Sequence, residues 1–494
     1  MSILLEQIKQ NLDLENKIFL KTKFVRSDDY QSFFALFQYI LNKIDKLYLA
    51  ETIFTIFKEM LGNANRSILK REFFLQNNID VSNVETYQAG ITKFKEEFLV
   101  NLDNYPRFMD NSKFEIKITI SIPDNSFIVE IETNSPLYKI EQERIQSKFE
   151  NAKKFNNILV AYKQISDKQE SAGLGIIMSI LLLKNIGLSE ENLIISSNES
   201  SAYAKLTIPS VLFPVEVSTT IKEQILKEIQ LLPSLPKSLT KIIDMCKSKD
   251  LDLNKLTLEI EKNPSISAGL LKLSNTPGFL TRNKTNSILQ AVKIVGSNNI
   301  LHMLYAVSTQ KIMKDRFPKM EAEWEHAKKV SYFAQKISHR NNMRKNAEMI
   351  SVGGLLHGIG KILLLSVNPD LFPLISQLTQ NRNMEHSKVL EESSIGLSHS
   401  HLGAMLADKW NFPNELVDMI KYHQQPYLSG ESSRNFAEIV YLANMLANKT
   451  INRINFFSVD IAILSKYNLS SQKEFDEYAL KLDTLYKKEL SSEN

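Results

Sequence analysis

Cysteine is almost absent from this chain. Cys246 stands alone among 494 residues, which excludes an intrachain disulfide and fits a reducing cytoplasm. Glycine and proline are scarce too, at 15 and 14, so a helical chain is expected in preference to a mostly β or disordered one. No charge of one sign dominates, because 60 Lys and Arg stand against 56 Asp and Glu. No strong electrostatic pull toward nucleic acid is therefore encoded. Long apolar runs are missing: the longest, around LGIIMSILLL at 174–183, falls short of the roughly 20 residues a membrane span needs. MSILLEQIKQNLDLENK at the start has no basic segment leading into an apolar core, so no signal peptide is expected. A cytoplasmic protein with neither nucleic-acid nor membrane partners is the expectation. Histidine is missing from the whole first half. The first is His302, so no local histidine there can accept a phosphoryl group.

What is present has the balance of a globular protein, 43% hydrophobic and 23% charged. A chain this long implies about two to four domains. Residues 1 to 110 read as helices, since FFALFQYILNKI and ETIFTIFKEML repeat apolar residues at helical spacing. FEIKITISI and FIVEIET then alternate as strands around the turn residues PDNS, which predicts a hairpin. NILVAY reads as a strand or a helix end, a helix is expected over 174–186, and ENLIISSNES with AYAKLTIPS suggests a second strand pair. The expected architecture is an α/β sandwich over 1–210, a linker at 211–221, an all-α domain over 222–450 and a helical extension over 451–494. That extension ends in a charged amphipathic helix expected to fray.

Two patterns in the first half carry chemistry. FKEMLGNANRSILK sets Glu59 and Asn63 one turn apart on one helix face. ESAGLGIIMSILLLKNIG sets Gly173 and Gly175 at a helix mouth, where backbone N–H groups and the helix dipole favour a phosphate. With the α/β layout, these resemble the GHKL ATPase domain of histidine kinases and gyrases. The resemblance implies Glu59 as the water-activating base, Asn63 as the Mg²⁺ holder, and Gly173 and Gly175 beside the triphosphate of Mg-ATP. The family's first glycine box, Asp-x-Gly-x-Gly, is replaced by ETNSPLY: Thr133 or Asn134 stands where an aspartate would read adenine, and Ser135 and Leu137 where glycines belong.

In the second half a longer series of motifs appears in order. IQLLPSLPKSLTKIIDMCK, LSNTPGF, SILQAVKIVG, WEHAKK, LLHGIGK, HSHLGAM and IKYHQQP together resemble the HDOD domain, the HD-related output domain of bacterial signalling proteins. The resemblance implies an all-helical domain descended from metal-dependent HD phosphohydrolases. In such hydrolases histidines and aspartates hold divalent ions that convert water to hydroxide. His326, His357, His401 and His423 occupy the histidine positions here; His399 and His401, at i, i+2, face different sides of a helix, and the resemblance favours His401 because it sits at the matching motif position. Ser398 or Ser400 is expected to cap that helix. Both carboxylates are gone. Gly358 follows His357, and Asn444 stands at the last ligand position.

Glu325 and Asp408 are near in sequence as substitute bases, while His302 and His339 lie outside the motifs. The reading these residues favour is a non-catalytic signalling protein. In it an HDOD output module, coupled to a GHKL-like sensor domain, works through protein partners or a nucleotide ligand and requires no cofactor. The alternatives are a phosphohydrolase or phosphodiesterase using a residual divalent metal on the histidines, and a GHKL-type ATPase.

Overall fold

A computed structural model of the chain describes residues 16–26, 28–79, 81, 84–98, 108–155, 157–166, 174–212, 220–275, 285–369, 371–381 and 387–493. The chain divides into two compact units, Met1–Val217 with Asp460–Ala462, and Ser218–Val459 with Ile463–Asn494.

The first unit opens with strand β1 (Lys17–Thr22) and helices α1 (Asp29–Lys43), α2 (Ala50–Gln76) and α3 (Val84–Phe98). Strands β2 (Ile116–Ser121) and β3 (Phe127–Thr133) follow, then helices α4 (Lys139–Lys153), α5 (Ile158–Ser166) and α6 (Leu174–Asn185), and strands β4 (Leu193–Ser197) and β5 (Ala202–Ile208). The sheet order is β1-β2-β3-β5-β4, with every neighbouring pair antiparallel. The expected hairpin is β2–β3. Its turn places Asp124 and Asn125 at φ 49° and 59°, a left-handed conformation that these two residue types tolerate. Alternation along β3 buries Phe127, Val129 and Ile131 against the helices. There the Phe37 ring of α1 lies 5.2 Å from Phe127 and 4.8 Å from Phe57 of α2.

One reading of this half needs correction, and one open choice is decided. β1 lies inside the stretch expected to be all helix. Its run KIFLKT buries Ile18 while Phe19 is 67% exposed, as an edge strand can, so only pairing with β2 identifies it. NILVAY, left open between strand and helix, belongs to α5.

In the second unit, described helices follow one another from α7 (Thr220–Leu231) through α8 (Lys237–Lys247), α9 (Leu253–Glu261), α10 (Pro264–Ser274), α11 (Ile288–Val295) and α12 (Ser297–Arg316). Next come α13 (Glu321–Arg340), α14 (Ala347–Leu356), α15 (Ile359–Val367), α16 (Leu371–Asn381), α17 (Lys388–Ile395) and α18 (His399–Lys409). The last are α19 (Asn414–Tyr422), α20 (Glu431–Lys449), α21 (Ile461–Lys466) and α22 (Gln472–Glu493). The Pro-rich entry is clasped from α18: Lys409 Nζ donates to the carbonyls of Ile229 and Leu232, both at 2.6 Å, and the Trp410 indole donates to Pro233 at 3.1 Å. Unsatisfied carbonyls at the end of α7 thus receive a cation, the pairing that a helix C-terminus favours.

The helix expected to fray at the C-terminus is instead packed. Phe475, Ala479 and Leu482 of α22 are buried, and Asp483 pairs with Lys329 of α13 at 2.5 Å. The 24-residue segment Arg344–Val367 is long and apolar enough to cross a membrane by composition, yet 61% of its most apolar window is buried inside the protein. It is also two helices, because the chain breaks between α14 and α15 at His357–Gly358.

The glycines of LLHGIGK have opposite surroundings. A Cβ on Gly360 would collide with the His399 carbonyl oxygen and lie 2.5 Å from the Gly403 nitrogen, whereas one on Gly358 would meet nothing within 4 Å. α15 and α18 therefore cross with their backbones in contact. Gly360→Ala is expected to lower unfolding stability by about 3 kcal/mol or more, since an overpacked backbone contact has no flexible side chain to yield. Gly358→Ala should change it by less than about 1 kcal/mol. Urea unfolding followed by fluorescence checks both, because the two tryptophans, Trp324 and Trp410, both lie in this unit.

Candidate functional site

The helix break at His357–Gly358 and the glycine crossing at Gly360 bring four imidazoles to one cavity of about 700 Å³. His326 comes from α13, His357 from the break itself, His399 from the first position of α18, and His423 from the C-cap of α19. Ring centroids are 5.8 Å apart for His326–His357, 5.0 Å for His357–His423 and 5.2 Å for His399–His423. Three of the four histidines named from the sequence are thus gathered. The fourth is replaced: His401 is exposed and lies outside the cavity lining, while His399 lines it. The i, i+2 geometry was sound, but the side chain it turns inward is the first. Ser398 supplies the helix cap, its Oγ accepting from the His401 N–H at 3.4 Å.

Hydrogen bonds fix what each ring can offer. His357 Nδ1 donates to the Gly354 carbonyl at 2.6 Å, and His423 Nδ1 to the Ile420 carbonyl at 2.8 Å. A carbonyl only accepts, so Nδ1 carries a proton in both rings, and in the neutral form the lone pair is on Nε2. His399 faces Glu391 of α17. Both carboxylate oxygens lie 2.8 Å from its Nδ1, and its backbone N–H donates to Oε2 at 2.7 Å. Its Nε2 lies 3.2 Å from His423 Nε2. Two lone pairs cannot face each other at that distance, so one of the two rings donates to the other, while the Glu391 carboxylate accepts from His399 Nδ1. Burial alone would push the Glu391 pKa up, but the charge and hydrogen bond of His399 and the Ser387 hydroxyl, at 2.6 Å, bring it down to about 2.

At the other end, His326 Nε2 donates to Asn444 Oδ1 at 2.9 Å, and the Asn448 amide donates to the same oxygen at 3.1 Å. Burial pushes His326 down to about 4, opposed by the Asn444 hydrogen bond. Burial pushes His357 down to about 3, with the His326 charge adding to the effect. The nearby carboxylates are committed: Glu323 pairs with Lys361 at 2.8 Å and Glu391 with His399. The substitute bases considered from the sequence do not reach the cavity. Glu325 is exposed and paired with Lys328 at 2.6 Å, and Asp408 is exposed. Among the described residues, no three His, Cys, Asp or Glu side chains converge as a metal site. The four imidazoles follow one another along the cavity in the order His326, His357, His423, His399.

Glu391 is the residue that sequence reasoning missed. It is eight positions before His399, on another helix, and the two meet because Gly396 turns the chain at φ 82°. No local spacing announces such a pair.

In the first unit, Glu59 is half-buried on α2, and Asn63 is exposed there, accepting from Arg66 at 2.7 Å. Gly175 begins α6, its carbonyl accepting from Ser179 Oγ at 2.9 Å; Gly173 lies outside the described residues. The segment standing where a glycine box was sought is pinned by Arg71. Its guanidinium donates to Ser135 Oγ at 3.0 Å and to the Pro136 carbonyl at 2.9 Å, pairs with Glu141 at 2.5 Å, and stacks 3.6 Å over the Tyr138 ring. Burial would raise the Glu141 pKa, but Arg71 and Lys70 bring it down to about 2.

Acid should unfold the second unit through its buried histidines. Histidine in the unfolded chain titrates near 6.5, while His326 and His357 titrate at about 4 and 3 when folded. As pH falls through 6.5 the unfolded chain takes up the proton first, so stability is complete above that pH and is lost below it. Between pH 7.5 and 5.0 the loss should reach roughly 2 kcal/mol per buried histidine, read from urea midpoints by tryptophan fluorescence. His357→Gln should flatten the slope by about one histidine's share. Glu391 adds its own loss only below 4.5.

Residues 232–426 match the HDOD domain. A chain from Treponema pallidum (strain Nichols), described only as uncharacterized, is 23% identical over 484 residues, spanning 98% of this chain and 94% of its own. Among solved structures, an HDOD domain protein of unknown function from Geobacter sulfurreducens is 19% identical. It covers 54% of this chain and 93% of its own, with a TM-score of 0.41. A candidate signal transduction protein from Marinobacter aquaeolei VT8 is 16% identical over 59% of this chain and 74% of its own, with a TM-score of 0.42. A candidate phosphohydrolase from Shewanella amazonensis SB2B is 21% identical over 53% of this chain and 94% of its own, with a TM-score of 0.40. Within the second unit, residues 232–426 are an HDOD domain.

Proposed function

We propose that this is a regulatory protein of bacterial signal transduction whose HDOD domain works by recognition and not by hydrolysis. The observation that carries this is the pairing of Gly358 with Asn444. The first leaves open space where a carboxylate would stand, and the second spends its oxygen on His326 and Asn448. Carboxylates offset the charge of a dication and bridge the ions of a two-metal site, and a hydrolytic metal must also hold an open position for water. With Gly358 and Asn444 in the two carboxylate positions, that charge and that bridging ligand are missing. The cavity remains, and a cavity that performs no reaction acts through what it binds or through what its occupancy does to the surrounding helices.

The first unit, on this reading, is a GHKL-like sensor module that has lost nucleotide turnover. In support, the backbone N–H groups of Asn134, Leu137 and Tyr138 already donate to the Glu115 carbonyl, Ser197 Oγ and the Glu141 carboxylate, and Pro136 has none, so the segment offers no run of free N–H groups to cradle a phosphate. Glu59 and Asn63 then remain as helix surface residues.

Purified protein should carry less than about 0.1 equivalent of Zn, Mn or Fe by elemental analysis and hydrolyse no phosphodiester. The Gly358→Asp/Asn444→Asp double variant should gain metal toward about one equivalent, because the Gly358 position has room for the side chain. Stoichiometric metal with turnover in the unaltered protein would overturn the proposal. Millimolar Mg-ATP should leave the melting temperature unchanged, whereas a bound ligand at 100 times its dissociation constant would stabilise by about 2.7 kcal/mol.

A further inference from the structure

The cavity lining is strongly uneven in charge. Lys361, Lys449 and Arg453 face it, against the single carboxylate of Glu323. Lys361 is paired with that carboxylate at 2.8 Å, and Lys449 with Asp476 at 3.0 Å. Arg453 sits exposed in the turn after α20, with no hydrogen-bond or ion-pair partner for its guanidinium among the described residues. Lys361 and Arg453 both act electrostatically on His326 and on Glu323, so the two cations converge on the same end of the cavity.

A second, independent observation comes from Gln424, which follows His423 at the end of α19. Its side chain is 6% exposed and lines the cavity, yet its Oε1 is buried without a hydrogen-bond partner. A buried acceptor left unpaired costs about 1–3 kcal/mol, which a donor brought to Gln424 when the cavity is filled would recover. The amides of Asn448, Asn452 and Asn455 add further polar edges to the same lining. A volume of about 700 Å³ suits a ligand much larger than an inorganic anion, within the roughly 300–1,000 Å³ of small-molecule sites.

We propose that the cavity binds a phosphorylated small molecule of nucleotide size, with Arg453 and Lys361 holding the phosphoryl group and Gln424 accepting a hydrogen bond from the polar body. Guanidinium and ammonium groups suit phosphate because charge-assisted hydrogen bonds to it are about twice as strong as neutral ones. The assignment rests on the reading of the cavity as a recognition site and names what it recognises.

The test is calorimetric titration of the full-length, chelator-treated protein with adenosine 5′-monophosphate, adenosine and inorganic phosphate. The monophosphate should bind, adenosine should not, and inorganic phosphate should bind at least about tenfold more weakly than the monophosphate. Arg453→Glu, in an exposed turn, should weaken binding about tenfold or more. Lys255→Glu makes the same charge change outside the cavity lining, on a side chain 77% exposed, and should leave affinity within about twofold. Gln424→Met should weaken the monophosphate and spare inorganic phosphate. No binding at millimolar concentration, equal binding of adenosine, equal binding of inorganic phosphate, or equal losses in the two charge variants would each overturn the assignment. Chromatography of the titrated monophosphate separates this from the functional reading. Conversion to adenosine and phosphate would sink recognition without hydrolysis while leaving the cavity's ligand class standing. Absence of binding without conversion would sink the ligand class alone.

Discussion

The second unit depends on one contact that has no side chain in it. At Gly360 and Gly403 the backbones of α15 and α18 touch, so closely that a methyl group on Gly360 would strike the His399 carbonyl. That crossing sets the axial position of α18, and with it the distance from His399 to His423 and the approach of the His399 ring to Glu391. Two residues earlier, at Gly358, the same chain turns away from its neighbours and leaves open space. One short sequence thus supplies both the tightest joint in the unit and an unfilled wall of its cavity.

Glu391 gives the cavity its chemical character. A carboxylate with no solvent exposure stays ionised only if its charge is matched and its lone pairs are filled. His399, the His399 backbone N–H and Ser387 do this among them. The hydrogen bond between His399 and His423 joins two Nε2 atoms 3.2 Å apart, at the place a cation would otherwise compete for. The row of imidazoles runs from a buried anion at one end to a pair of amides at the other.

Much of this was legible from sequence where local periodicity decides structure. The β2–β3 hairpin announced itself by alternation and turn residues, the helices by their apolar spacing, and the HDOD region by the order of its motifs. His326, His357 and His423 come together in one cavity because each sits at a helix position that its motif fixes. The failures share a cause, which is dependence on contacts between distant segments. β1 is an edge strand with one buried residue, so only its partner β2 defines it. The choice between His399 and His401 turned on which face of α18 meets α15, and Glu391 on where a neighbouring helix folds back. Arg71 was invisible for the same reason, since its partners Ser135, Pro136 and Glu141 lie more than 60 residues away.

α18 also has a second end. Its first residue places an imidazole in the cavity, while Lys409 and Trp410 at its close grip the chain that enters the unit at Ile229, Leu232 and Pro233. An α-helix is nearly inextensible along its axis, because every turn is tied by hydrogen bonds to the next. The 11 residues of α18 therefore behave as a push-rod about 16 Å long. Whatever shifts the incoming segment must move the His399 end by a similar amount or break the clasp. Displacement at the doorway of this unit and rearrangement at its histidines are two ends of one lever.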